Sequence, residues 1–96
     1  MKRTKPMLVG DIISEVMRSE GLEDRMLAHR ALTVWGSVVG NRINRMTTMR
    51  RVSGNILMVH VTSAVVRQEL SMQMTPLLAA INKSLGKEII KEIRFI

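Results

Sequence analysis

Apolar positions recur along this chain with two periods, and the switches between them divide it into elements. Leu8, Ile12, Ile13 and Val16, extended by Met17, have helical spacing and predict a first helix over about Val9–Glu20. Gly21 stands where a helix C′ residue belongs. Glu23 and Asp24 suit the positive end of a second helix. Leu27, Ala31, Val34, Trp35, Val38, Val39, Ile43 and Met46 carry the 3.6-residue period to about Arg45. Gly36 and Gly40 interrupt it. Each costs about 1 kcal/mol against alanine, so each asks for a bend or a close neighbour as its reason.

The period then shortens. Met49 and Val52 sit among polar residues, Ser53-Gly54-Asn55 marks a turn, and Ile56 to Val61 is the strongest strand in the chain. Its continuous apolarity predicts a strand that is central or covered. Ser63 can cap a third helix, in which Val66, Leu70 and Met74 share a face. Pro76 predicts a kink, or two helices joined at Met74-Thr75-Pro76 with Thr75 as N-cap and the proline at N1. Leu77, Leu78, Ala80, Ile81 and Leu85 continue to Gly86, a second C′ glycine. The final stretch alternates, with Lys91, Ile93 and Phe95 on one side and Glu92, Arg94 and Ile96 on the other, and predicts a strand tied into the sheet. The order is ααββαβ. The hairpin pairs antiparallel, and the last strand joins by a crossover through the third helix. This is an α+β domain, a three-stranded sheet with helices packed on one face.

Length permits a single hydrophobic core in the 96 residues. Residues 1–7 read as a flexible basic tail and 8–96 as one domain. The absence of cysteine excludes disulfides, zinc fingers and thiol catalysis. Behind the basic start, the apolar run is only Met7-Leu8-Val9 before Asp11, too short for a secretory signal, and no apolar run is long enough to span a membrane. The expectation is a cytoplasmic protein that makes no membrane contact.

The net charge of +7 has an uneven distribution. Arg25, Arg30, Arg42, Arg45, Arg50, Arg51 and Arg67 fall in a stretch without one Asp or Glu, and the rest of the chain sums to zero. All are arginine, whose planar fork makes bidentate phosphate contacts. Arg42, Arg45, Arg50, Arg51 and Arg67, with Lys2 and Arg3 on the tail, are therefore the candidate nucleic-acid-binding residues. Arg42 and Arg45 also suit the negative end of a helix dipole, and a solvated basic face is the alternative for the whole stretch. In a strand, Arg50 and Arg51 point to opposite faces.

Trp35 and Phe95 are the only aromatics, and both fall on core faces, so binding rests on phosphate contacts and not on stacked bases. His60 within the apolar strand reads as a hydrogen-bonded structural histidine, and His29 shares no motif with it, so no metal site is assigned. No motif for nucleophilic catalysis, phosphate-loop or dinucleotide binding is present, and Gly36-x3-Gly40 marks close helix contact instead. Neither catalytic residues nor a cofactor are expected. The many methionines, Met46, Met49, Met58, Met72 and Met74 among them, read as core filling, the alternative being an adaptable protein-binding patch.

An ordered set of segments now carries a resemblance. Val34-Trp35-Gly36-Ser37-Val38-Val39-Gly40-Asn41-Arg42-Ile43 is followed by Thr47-Thr48 and by Gly54-x-Ile56-Leu57-x-Val59-x-Val61-Thr62-Ser63-Ala64. Arg67-Gln68-Glu69-Leu70, Leu77-Leu78-x2-Ile81-Asn82-x2-Leu85-Gly86 and Ile93-Arg94-Phe95 complete it. Over about Val9 to Ile96 the chain resembles the DciA family of bacteria. The resemblance implies a KH-like fold and an adaptor, a loader or operator of the replicative DNA helicase with affinity for DNA, and the arginines are expected to hold it as single-stranded or forked DNA. The chain departs from the family's frequent aromatic at the start of the third helix, where it has Val65-Val66, and it lacks the Gly-x-x-Gly loop of true KH domains. Two other functions stay open: a KH-type RNA-binding module, and a protein–protein module without a nucleic-acid role.

Overall fold

The computed structural model describes residues 21–96. The expected first helix and basic tail, with Lys2 and Arg3, lie outside the described residues.

Helix α1 runs Leu22–Val39 and α2 runs Asn41–Met46; the hairpin strands are β1, Thr47–Ser53, and β2, Ile56–Val61. Helices α3, Ala64–Ser71, and α4, Met74–Leu85, lead to β3, Glu92–Phe95. The sheet order is β1-β2-β3, antiparallel between β1 and β2 and parallel between β2 and β3, so the crossover through α3 and α4 is the expected one. Leu57, Val59, Val61 and Ile93 face the helices and pack with Ala28, Ala31, Trp35, Ile81 and Leu85 in the core. This is the expected α+β layer.

The long helix expected to reach Arg45 is two helices, and both glycines have a reason. Gly40 takes φ 91°, ψ 167°, which breaks the helix. The turn brings Asn44 against α1, where a Cβ on Gly36 would meet the Asn44 side chain at 2.9 Å. The third helix is also two, but the break differs from the expected one. It falls at Met72-Gln73, and α4 begins at Met74 with Gln73 and not Thr75 before it. Pro76 is then the third helical residue, within the first turn, where its missing N–H is one that has no intrahelical partner. The Ser63 cap is as expected, with Oγ accepting from the Val66 N–H at 3.2 Å. Gly86 ends α4 in the left-handed conformation.

The methionines divide, correcting the expectation of uniform core filling. Met46 and Met74 pack on the core, whereas Met49 and Met72 are exposed and Met58 lies half-buried on the outer sheet face, in register with Arg51 and Arg94. The outer face takes every second residue of β2, so Met58 follows from the strand period.

The loop before β3 has no regular structure, yet Ile89 and Ile90 are buried, so their backbone groups need partners. Asn82 supplies them. Its Oδ1 accepts from the Ile89 N–H at 2.9 Å and the Ile90 N–H at 2.8 Å, and its Nδ2 donates to the Ile90 carbonyl at 2.9 Å. Lys87 adds an exposed ion pair with Asp24, 2.6 Å apart, which raises the Lys87 pKa. Asn82→Ala leaves two N–H groups of buried residues without acceptors. It is expected to destabilise the domain by about 2–4 kcal/mol, read as a lowered urea midpoint at unchanged slope.

Candidate nucleic-acid interface

A buried indole positions the arginine-bearing segments. Trp35 is fully buried, and its N–H needs an acceptor. It donates to Thr47 Oγ1 at 3.0 Å, and that hydroxyl donates to the Ile43 carbonyl at 2.9 Å. Phe95 packs against the indole at a centroid distance of 6.1 Å. The first residue of β1 is thereby fastened to α1 and α2 together. Thr47 pairs with Val61, and the Thr62 N–H donates to the Met46 carbonyl at 3.0 Å. The end of α2, the start of β1 and the β2–α3 junction therefore form one corner of the domain.

Three of the candidate residues are carried by the elements that form it. Arg42 and Arg45 are exposed on α2, three residues apart and hence on one side of it. Arg67, on the first turns of α3, donates from Nη1 to the Val61 carbonyl. Arg50 and Arg51 separate as the strand period requires. Arg50 pairs with buried Val59 on the helix side and donates from Nη2 to Asn44 Oδ1 at 2.8 Å and from Nη1 to the Leu32 carbonyl at 3.4 Å. It thereby holds α2 against α1. Arg51 pairs with Met58 on the outer face and is exposed. Arg42, Arg45 and Arg51 make no hydrogen bond or ion pair among the described residues, so their guanidinium groups are available to a ligand.

The outer face also carries Arg94, which sequence reasoning left out; it pairs with Glu92 at 3.0 Å. Its alternation with Ile93 is the signal that places it there. His60 is hydrogen bonded as expected, Nδ1 lying 2.7 Å from Thr48 Oγ1. His29 is exposed on α1. Among the described residues no group of His, Asp and Glu is placed to hold a metal ion, and no helix is long and apolar enough to cross a membrane.

Fold and corner together define a small α+β domain that presents unpaired arginines beside a mixed sheet. A family model described as Dna[CI] antecedent, DciA, matches residues 8–95, nearly the whole chain. The chain belongs to the DciA family. That family serves bacterial DNA replication as a helicase loader and not as an enzyme. No curated protein matches the chain.

The two strand arginines should separate on substitution. Arg50→Ala frees Asn44 and loosens α2, and is expected to cost about 1–2 kcal/mol in chemical denaturation. Arg51→Ala, on an exposed face, is expected to stay within about 0.5 kcal/mol of the parent.

Proposed function

We propose that this chain is a cytoplasmic, non-catalytic adaptor of the replicative helicase that holds single-stranded or forked DNA through Arg42, Arg45 and Arg51. The observation that carries the reading is that these guanidinium groups are exposed and unpaired in a stretch free of acids. Arg67 borders the same corner and has N–H groups beyond the one that holds Val61, and Lys2 and Arg3 are further candidates by their charge alone. Arg50 contributes by fixing α2. Buried Trp35 and half-buried Phe95 are unavailable for stacking, so affinity comes from phosphates and the bases go unread. A loader that accepts any sequence needs no more than that.

Fluorescence anisotropy with labelled single-stranded, duplex and forked DNA and matched RNA, at two salt concentrations, tests this. With four to six phosphate contacts, log affinity for single strands is expected to fall against log salt with a slope of about −3 to −4. Reversing charge at Arg42, Arg45 and Arg51 should reduce that slope by about 2 and leave the denaturation midpoint in place. Preference for RNA over DNA of the same sequence would transfer the site to an RNA role, since only RNA offers the 2′-hydroxyl. Unchanged affinity in the reversed variant would remove these three residues from the interface.

A further inference from the structure

The four helices leave an apolar cleft between them. Val38, Val39, Ile43, Val66, Leu70 and Leu77 line it, with a volume of about 210 Å3. Its polar members are Glu69 on α3 and Gln73 in the break between α3 and α4, both exposed. Val65 and Met72 flank Glu69 at i−4 and i+3 and are 68% and 76% exposed. Val65 and Glu69 on α3 and Met72 at its C-cap therefore line up beside the cleft. Arg67 lies two residues from Glu69, about 200° around the helix, so α3 turns its cation and its anion to opposite sides.

Glu69 is unusual in two ways. It is the only acid between Asp24 and Glu88. It also makes no hydrogen bond or ion pair among the described residues. A carboxylate on an apolar rim repels phosphate, and no cation lines the cleft, so its chemistry disfavours nucleic acid. A protein segment with large apolar side chains and a positive charge at its edge complements it.

We propose that this groove takes an amphipathic helix from a protein partner, with apolar side chains in the cleft and a Lys or Arg against Glu69. The binding mode is a helix laid in a groove, read by anchors at i, i+3 or i+4, and i+7. The proposal deepens the adaptor reading, which requires a protein-binding surface apart from the arginine corner, but its geometry stands without that reading.

Two measurements on the full chain test it. The first titrates a model amphipathic helix of about 18 residues, leucine on one side and lysine at the flanks, and its glutamate-flanked counterpart, against methyl-labelled protein. The lysine peptide is expected to shift the methyls of Val38, Ile43, Leu70 and Leu77 and to bind at least about tenfold more tightly than the glutamate peptide. Glu69→Lys should reverse that preference. Equal binding of the two peptides, shifts outside the cleft, or a second copy of the chain filling the cleft would overturn the proposal. The second measurement uses purified replicative helicase with Glu69→Lys and Met72→Asp, both at exposed positions. Loss of helicase binding with DNA affinity retained is the expected result. Helicase binding unchanged by both substitutions overturns the groove assignment alone. Absence of DNA affinity in the parent chain overturns the adaptor reading, and the peptide titration still decides the groove.

Discussion

A tryptophan cannot be buried in an apolar core unless its N–H finds an acceptor, and the position of Trp35 makes that requirement organise the domain. The acceptor is Thr47, the residue at which α2 gives way to β1. Because Thr47 in turn donates to Ile43, one indole holds the end of α1, the short helix α2 and the first strand in a fixed relation. A six-residue helix has little stability of its own. Packing and these side-chain bonds hold α2 in place, and α2 carries Arg42 and Arg45. The path from core to surface is therefore short: an N–H bond, a strand start, and two guanidinium groups one helical turn apart.

The arginines divide by work done inside the protein. Arg50 and Arg67 each donate to protein acceptors and hold elements together, α2 to α1 in one case and α3 to β2 in the other. Arg42, Arg45 and Arg51 are left to solvent or a ligand. A dense run of arginine thus acts both as scaffold and as cationic surface. Arg67 and Glu69 leave α3 in opposite directions, while α2 borders both features, with Arg42 and Arg45 at the corner and Ile43 in the cleft. Such an arrangement suits an adaptor that meets an anionic polymer and a protein at once.

Much of this was legible in the sequence. The apolar run of β2, the Ser63 cap and the C′ glycine at 86 are local signals, and the structure places each as read. The opposite directions of Arg50 and Arg51 follow from the strand period alone. The features that were not legible depend on contacts distant in sequence. Gly36 and Gly40 asked for a bend or a neighbour, but only the folded chain shows that Gly40 makes the bend and that Asn44 is the neighbour. The partner of Arg50 follows from that turn. Pro76 signals a kink, or a helix start with Thr75 as N-cap; the chain instead breaks earlier and accommodates the proline in the first turn. Asn82 reads as a poor helix former until the loop that it clasps is seen. The cleft needs four helices to exist, so no single segment announces it.

Amide chemical-shift mapping of the full chain with a short single-stranded DNA at low salt tests the central claim most directly. The account predicts the largest shifts at Arg42, Arg45, Arg51 and around the β2–α3 junction, with Val38, Leu70 and Leu77 unmoved. Shifts centred on the cleft, or around Asp24 and Lys87, would contradict it.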